Sequence, residues 1–326
     1  MLEVADLQKT FGENTALNKL NMHVPSGEIY GLIGQNGAGK TTFMQICMGL
    51  QKPDAGRIQL FGYNILQNTR IVRDSVGYLP DTFGIYEKVK VLEYLEFFNA
   101  LYGVKYSAKK YLMELLDLVN LADKADCYVS TLSKAMKQQL GIARCLVHNP
   151  VLLILDEPLS DLDPVGKAEI IEILHHLKQE SKTILLSSNV LTELEYTCTQ
   201  VGIIKNGSVE IEGTIKGVLE KIKESSPIVM TVLGDASRAV PILRENRNVT
   251  RVSIAENTFH IGFKGTEEQE ATLLHSLVSG GVQVLTFNRV KGSLENMFFE
   301  ITEETERKKG RYENQSSLFE RFKIKR

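Results

Sequence analysis

The segment from Ile29 to Thr42 constrains the fold of this chain more than any other. An apolar run there breaks into a glycine-rich loop and resumes as a second apolar run from Phe43 to Leu50. Residues 34 to 41 spell a glycine, four further residues and then Gly-Lys-Thr. In such a loop, when it joins a strand to a helix, backbone N–H groups surround phosphate oxygens. The sequence therefore predicts a strand, a phosphate-binding loop and a helix, in that order.

Parts of this loop have expected roles at a triphosphate. Its glycines allow positive φ and the close approach of the backbone to an anion. Lys40 is expected to reach the β- and γ-phosphates, and the Thr41 hydroxyl to bind Mg²⁺. The N-terminus of the following helix would face the same charge. An ordinary glycine-rich turn is the alternative, and the flanking strand and helix patterns argue against it.

A pair of carboxylates follows a second buried strand. Five apolar residues, Val151 to Leu155, precede Asp156 and Glu157. A continuous apolar run suits a parallel strand covered on both faces, and open α/β sheets bind ligands at the carboxyl ends of such strands. Asp156 is expected to hold Mg²⁺ and Glu157 to face the attacking water. Alone, the pair would fit a solvated strand end equally well, and the upstream phosphate loop favours the functional interpretation.

Composition excludes several other classes of protein. The formal net charge of -2 over 326 residues gives no overall basic field for nucleic acid. No stretch approaches the roughly 18 apolar residues of a membrane span, so a role at a membrane would need another chain. The cysteines are scattered, which argues against a disulfide framework or a zinc site and suits a reducing cytosol. They are Cys47, Cys127, Cys145 and Cys198.

The order of patterns predicts two domains. Alternating apolar segments before the loop predict antiparallel strands, and helical spacing from Val91 to about Val147 predicts a helical subdomain. An Asn-Gly pair at 206–207 predicts a hairpin. We expect a first domain over residues 1–215, a linker over 216–226, a small α+β domain over 227–302 and a charged tail over 303–326. The tail fits either a frayed end or a basic amphipathic segment that touches lipid or a partner.

The segment between the two motifs carries a family resemblance. Thr131 to Leu140, which includes Leu132-Ser133-Lys134-Ala135-Met136-Lys137-Gln138, resembles the signature sequence of ATP-binding cassette (ABC) ATPases. With both other motifs, the resemblance covers residues 1–215. It is strongest to ATPase subunits of bacterial exporters of antibiotics, bacteriocins or lantibiotics, and residues 292–302 look like the end of their C-terminal domain.

The resemblance implies a fold class. The core would be an α/β, P-loop NTPase of the ABC type, with an antiparallel sheet, a parallel sheet flanked by helices and a helical subdomain at about residues 82–147. A small α+β C-terminal domain would follow.

The resemblance also implies roles for individual residues. Phe11, which alone fits either a core aromatic or a plate for a base, would stack on adenine. Asp81 stands at the Q-loop position, and Ser160 to Asp163 match the D-loop. The implied catalytic residues are Asp81, Glu157 and Asn189, and the implied metal-binding residues are Thr41, Asp81 and Asp156. ATP would be bound by Phe11, Gly34, Gln35, Asn36, Gly37, Ala38, Gly39, Lys40, Thr41, Thr42 and Ser133.

Partners follow from the same resemblance. In this family the signature of one subunit closes on the nucleotide of another, so ATP and Mg²⁺ would be bound between two ATP-binding subunits, identical or different. Ser133 would cap a helix whose free N–H groups point at that γ-phosphate. A separate transmembrane permease would hold the chain on the cytoplasmic face of the cell membrane, and no nucleic acid is expected.

Departures from the family pattern bear on the rate of hydrolysis. Asp81 replaces the usual Gln or Glu, Lys134 and Ala135 replace signature glycines, and Asn189 replaces the switch histidine. A neutral amide donates hydrogen bonds but carries no proton or charge near neutral pH. The sequence therefore predicts intact ATP binding and slow hydrolysis.

Alternative functions remain beside an exporter ATPase. The same departures suit a degenerate ATP-binding partner that regulates a competent subunit in a heterodimer. A soluble ABC ATPase of translation or DNA repair would usually have two cassettes or a long coiled coil. A GTPase is disfavoured because Leu20-Asn21 follow Asn18-Lys19, without the Asp that would recognise guanine.

Overall fold

The computed structural model describes residues 1–103, 108–218, 227–234 and 236–289. The chain divides into two compact units, Met1–Ile215 and Lys216–Arg326, which are described separately.

The first unit combines two sheets with surrounding helices. Its strands are β1 (Leu2–Phe11), β2 (Asn14–Val24), β3 (Ile29–Ile33), β4 (Ala55–Leu60), β5 (Tyr63–Asn64), β6 (Val76–Leu79), β7 (Leu152–Leu155), β8 (Thr183–Ser188), β9 (Gln200–Lys205) and β10 (Ser208–Thr214). Its helices are α1 (Lys40–Cys47), α2 (Thr69–Ser75), α3 (Val91–Tyr102), α4 (Ala108–Leu118), α5 (Lys134–Leu146), α6 (Pro164–Gln179) and α7 (Leu191–Thr197). Residues 215–218 are helical, and the remainder of the predicted linker, 219–226, lies outside the described residues.

An antiparallel sheet has the order β2-β1-β4-β5. The predicted antiparallel strands before the loop are confirmed, because β1 and β2 pair through a turn at Gly12, whose φ is 58°. Leu2, Val4 and Leu7 are buried, and they belong to one core cluster with residues of β2 and of α1. This packing fixes the helix that follows the phosphate loop.

The second sheet positions the site. Its order is β10-β9-β3-β8-β7-β6, with β10 antiparallel to β9 and the other pairs parallel. All residues of β3, β7 and β8 are buried, as continuous apolar runs in a parallel sheet require. Ile33 pairs with Ser188, and Leu155 pairs with Leu186. The carboxyl ends of these three strands therefore meet at one edge.

Helices α3, α4 and α5 lie in the middle third of the chain, where helical spacing predicts them. Each carries buried side chains, such as Leu95, Leu116 and Leu140, and the three helices contact each other pairwise. The guanidinium of Arg144 stacks over the ring of Phe83, with 4.8 Å between its carbon and the ring centroid. This contact ties α5 to the segment that follows β6.

None of the helices in the described ranges combines the length and the apolar character that crossing a bilayer requires.

The second unit has the order strand, helix, strand, strand, helix, strand. Its elements are β11 (Ile228–Val232), α8 (Ala239–Glu245), β12 (Val249–Ala255), β13 (Thr258–Phe263), α9 (Glu267–Ser279) and β14 (Val284–Arg289). The sheet order is β12-β13-β11-β14 with antiparallel pairs, which is the ferredoxin-like arrangement. Met230, Phe259 and Leu273 belong to its own core. The predicted domain end near residue 302 and the tail 303–326 lie outside the described residues.

Candidate functional site

The glycine-rich loop leaves β3 at the sheet edge and enters α1. Gly37 and Gly39 have φ values of 80° and 109°, the geometry for which the glycine pattern is suited. A Cβ on Gly34 would lie 2.6 Å from the carbonyl oxygen of Ile204, and one on Gly39 would collide with the carbonyl oxygen of Ala16. Close neighbours therefore exclude side chains at Gly34 and Gly39, where the loop packs against β9 and β2.

Exposure differs along the loop. Gln35, Asn36 and Gly37 are exposed, Thr41 is exposed at the second position of α1, and Thr42 is half-buried. Ala38, Gly39 and Lys40 are buried. The outer loop and the Thr41 hydroxyl are thus accessible to a ligand, while the lysine stem is held inside.

Lys40 is held by the loop and by a carboxylate. Its Nζ donates to the carbonyl oxygen of Gly34 at 2.6 Å and to that of Gln35 at 3.4 Å. The same Nζ lies 3.1 Å from Oε1 of Glu157, and the exposed fractions of the two side chains are 6% and 15%. The ammonium group is therefore paired with two carbonyl oxygens and a carboxylate.

Glu157 is in an unusual backbone conformation. Its φ is +48°, in the left-handed region that costs a non-glycine residue energy and that clusters at functional sites. Its Oε2 accepts the backbone N–H of Asn189 at 3.2 Å. Burial raises the pKa of Glu157, and Lys40 opposes that shift. The structure thus brings together three predicted site residues, although Asn189 contributes its backbone rather than its exposed side chain.

Asp156 has the features of a cation ligand. Its side chain is fully buried, and Oδ1 accepts the hydroxyl of Ser187 at 2.6 Å. Its Oδ2 is buried without a hydrogen-bond partner in the described part of the chain. Such an orphaned carboxylate oxygen is costly unless a ligand satisfies it. Mg²⁺ prefers oxygen ligands, so Asp156, with the Thr41 hydroxyl, fits the predicted metal.

Asp81 lies just beyond β6 and is exposed. Burial raises the pKa of Tyr78 to about 12, with smaller contributions from negative charges that include Asp156 and Asp81. Both carboxylates therefore act on the same tyrosine, which places Asp81 near this sheet edge.

Sequence reasoning assigned no role to Ser187. Its hydroxyl donates to Asp156 and accepts the backbone N–H of Glu157 at 2.8 Å. One feature of the sequence points to it: Ser187 is a small polar residue near the end of the otherwise apolar strand β8. From there its hydroxyl reaches the two acids that follow β7.

Phe11 is at the end of β1. Its exposed fraction is 44%, and Nζ of Lys9 lies 5.1 Å from the ring centroid. The interpretation of Phe11 as a core aromatic is wrong, because the ring is half-exposed. A half-exposed ring with a cation over one face is compatible with base stacking.

Ser133 caps α5. Its Oγ accepts the backbone N–H of Met136 at 3.2 Å, and the residue is exposed. Lys134 Nζ lies 3.1 Å from Oδ2 of Asp161, an exposed residue in the segment between β7 and α6. The signature segment thus contacts the D-loop segment of the same chain.

Ala135 packs towards α6. A Cβ on Gly166 would lie 2.7 Å from the Cβ of Ala135 and 2.9 Å from Oδ1 of Asp163. Asp163 itself caps α6, since its Oδ1 accepts the backbone N–H of Gly166 at 3.2 Å. The methyl group of Ala135 therefore lies beside Gly166 of α6, where it fills the space left by a missing side chain.

Comparisons with known proteins identify similar chains among the ATP-binding proteins of ABC transporters. A family model described as ABC transporter matches residues 17–160. The bacitracin transport ATP-binding protein BcrA of Bacillus licheniformis is 32% identical over 313 residues, which cover 92% of this chain and 97% of that protein. The linearmycin resistance ATP-binding protein LnrL of Bacillus subtilis is 29% identical over 308 residues, covering 94% and 99%. A dimeric bacterial ABC transporter cassette of known structure is similar over 66% of this chain and 99% of its own, with a TM-score of 0.60 and 26% identity.

Proposed function

This chain belongs to the ATP-binding subunits of ABC transporters, and we propose that it hydrolyses ATP to drive export of an antibiotic, peptide or lipid-like compound through a separate permease. The main support for an ATPase function is that Lys40, Asp156 and Glu157 lie together at one edge of the parallel sheet. The names of the bacitracin and linearmycin relatives support the class of compound.

Different residues of the site bind the phosphates and take part in hydrolysis. The N–H groups of the loop and Lys40 bind the phosphates, and Glu157 accepts a proton from the attacking water. Asp156 and Thr41 would hold Mg²⁺, which supplies charge neutralisation and orientation at the phosphate oxygens. The raised pKa of Glu157 makes the ionised carboxylate a stronger base than an ordinary glutamate.

We propose that ATP joins two copies. Ser133 is exposed at the start of α5, where free N–H groups and the helix dipole favour an anion. A chain with one phosphate loop and one such segment completes its site through a second copy. The similar cassette of known structure is described as dimeric, which supports this arrangement.

A surface for the permease is available on the helical part of the first unit. Four large apolar side chains there are exposed, at 58%, 47%, 66% and 54% for Tyr86, Phe97, Leu101 and Tyr128. Tyr86 and Phe97 pack edge to face, with 5.6 Å between ring centroids. Exposed aromatic groups of this kind mark protein interaction sites. We place the chain on the cytoplasmic face of the membrane through this contact.

Hydrolysis is proposed to be slow, because Asn189 supplies no protonated imidazole to the γ-phosphate. The same observation favours a second function, a regulatory ATP-binding partner in a heterodimer. The two functions differ in one measurement, the ATPase rate of the isolated chain against that of the assembled transporter. If this chain is a regulatory partner, replacing its Glu157 should leave the ATPase rate of the assembled heterodimer almost unchanged.

Calorimetry with MgATP tests the binding site. Lys40→Ala is expected to weaken ATP binding by about a hundredfold or more, because a buried charge pair loses its cation. Lys52→Ala, at an exposed position outside the loop, is the matched control and should bind as the parent does. No heat from the folded parent, or parental affinity in Lys40→Ala, would overturn the proposal.

Gel filtration tests the dimer. Glu157→Gln with ATP and Mg²⁺ should elute as a dimer, because nucleotide stays bound without hydrolysis. The double variant Glu157→Gln with Ser133→Asp keeps a residue that can cap α5 but places a negative charge next to the γ-phosphate of the other copy. The repulsion should prevent dimerisation, so this variant should elute as a monomer. A monomer in Glu157→Gln itself would contradict ATP-dependent dimerisation.

A further inference from the structure

The loop after β8 is held at Ser188. Its Oγ accepts the backbone N–H of Val190 at 2.9 Å, and its carbonyl oxygen accepts the N–H of Gly34 at 3.4 Å. Ser188 is buried, with an exposed fraction of 2%. Asn189 lies between these two anchored residues and donates its own N–H to Glu157. The position of Asn189 therefore depends on how the Ser188 hydroxyl is oriented.

A carboxylate on α7 orients that hydroxyl. Oε2 of Glu193 lies 3.0 Å from the Ser188 Oγ, and Oε1 lies 2.6 Å from Nζ of Lys167. The Glu193 side chain is largely buried, with an exposed fraction of 11%. The carbonyl oxygen of Val190, 3.1 Å from the same Oγ, is a second acceptor for the single hydroxyl hydrogen. An ionised carboxylate is the stronger acceptor, and donation to Glu193 leaves the oxygen lone pairs for the N–H of Val190.

Lys167 extends the connection to α6. It lies one turn into that helix, and its N–H donates to the carbonyl oxygen of Asp163, the helix cap. The ammonium of Lys167 is the counter-ion of the largely buried Glu193 carboxylate. The D-loop side of α6 and the loop carrying Asn189 are thus joined through one carboxylate.

We propose that Glu193 is a positioning residue that holds Asn189 for contact with the γ-phosphate, with Lys167 as its counter-ion. This inference rests on the proposed ATP-binding function. Glu193 touches no nucleotide itself; it acts through Ser188 on the backbone at residues 189 and 190. Loss of Glu193 frees the loop and removes the preference for ATP over ADP that a γ-phosphate contact provides.

Hydrogen exchange of the full chain tests the anchoring. Peptides spanning residues 186–194 report the amides of Asn189 and Val190. Glu193→Ala should exchange about fivefold faster there than the parent, because one hydrogen bond is worth about 1 kcal/mol. Glu193→Gln keeps an acceptor oxygen and should fall between the two. Glu172→Gln, an exposed carboxylate on α6, is the control. Parental exchange in Glu193→Ala overturns the proposal.

Nucleotide selectivity tests the positioning role. The ratio of the Kd for ADP to the Kd for ATP should fall about tenfold in Glu193→Ala and in Lys167→Met, with ADP affinity unchanged. The double variant Lys167→Glu with Glu193→Lys restores an ion pair with the charges exchanged, and its ratio of the two Kd values should return part of the way to that of the parent. Equal weakening of both nucleotides would mean a merely structural residue and overturns the proposal. If the parent binds no nucleotide, the proposed function fails, while the exchange result still decides whether Glu193 anchors the loop.

Discussion

Nζ of Lys40 lies 3.1 Å from Oε1 of Glu157, so the lysine expected to bind phosphate is paired with the carboxylate expected to activate water. A buried ammonium without a partner would cost several kcal/mol. The carboxylate therefore acts as an internal counter-ion, and in the proposed function a nucleotide displaces it from Lys40. Binding becomes an exchange of one anion for another at the same cation.

Glu157→Gln is expected to bind ATP more tightly than the parent. The amide competes less well for Lys40 and does not repel the γ-phosphate, and a hydrogen bond to a charged group is worth about 1.5–3 kcal/mol, so the gain should be about tenfold. Calorimetry measures it, with the exposed Glu87→Gln as control. Weaker binding in Glu157→Gln would contradict displacement of the carboxylate.

Phe11→Ala should weaken ATP binding by about tenfold, because stacking of a base on an aromatic ring is worth about 1–3 kcal/mol. Phe11→Trp offers a larger ring and should bind at least as well as the parent. The exposed Phe61 supplies a matched Phe→Ala control away from the loop. Equilibrium titration with a fluorescent ATP analogue reports all three, and equal affinity in Phe11→Ala would exclude stacking.

Asn189→His should raise steady-state phosphate release by about a hundredfold, because the imidazolium restores a charged donor at the γ-phosphate. Asn257→His makes the same change at an exposed turn and should leave the rate unchanged. No gain in Asn189→His would mean that the amide does not limit hydrolysis.

Gly166→Ala should destabilise the first unit although alanine is the better helix former. Its methyl group would lie 2.7 Å from the Cβ of Ala135, and overpacking costs about 1–3 kcal/mol. Adding Ala135→Gly should recover part of the loss, because the contact with Asp163 remains. Thermal unfolding of the four variants in this cycle measures the coupling, and additive effects would show that the two positions do not touch.

His148 should make stability fall in acid. Burial lowers the pKa of His148, while the carbonyl of Val76 and the charge of Asp74 oppose the shift and Lys182 adds to it. The unfolded chain therefore takes up this proton at a higher pH than the folded chain, and stability is lost as pH falls below about 6.5, the ordinary value for histidine. His148 also stacks on Tyr102, with 4.1 Å between ring centroids.

His148→Gln removes the titration and keeps a donor for Val76, so its Tm should change less between about pH 8 and about pH 5.5 than that of the parent. His23→Gln, at an exposed position, should follow the parent. A parental pH response in His148→Gln would place the sensitivity elsewhere.

The helices and strands could be predicted from local sequence patterns, because each pattern depends on the burial and backbone conformation of its own residues. The glycine loop sits between a strand and a helix, and Leu152–Leu155 is a buried parallel strand, as the apolar run implied. The relationship between Lys40 and Glu157 was not predictable, because it depends on how distant strands are ordered in the sheet. Sequence spacing carries no information about that order.

The same limit explains what was missed. Ser187 and Glu193 are ordinary residues in the sequence, and their roles arise from contacts made across strands and helices. In the sequence, Ala135 stands out only as a departure from the signature glycines, and Gly166 is not part of that pattern. Its partner on α6 became visible only when both helices were in place.

The hydroxyl of Ser187 bonds to Asp156 and to the backbone of Glu157 at once. A change that moves Asp156 would therefore also shift the backbone of Glu157. One hydroxyl on β8 therefore couples the placement of the two acids, and a substitution at Ser187 is expected to disturb both of them.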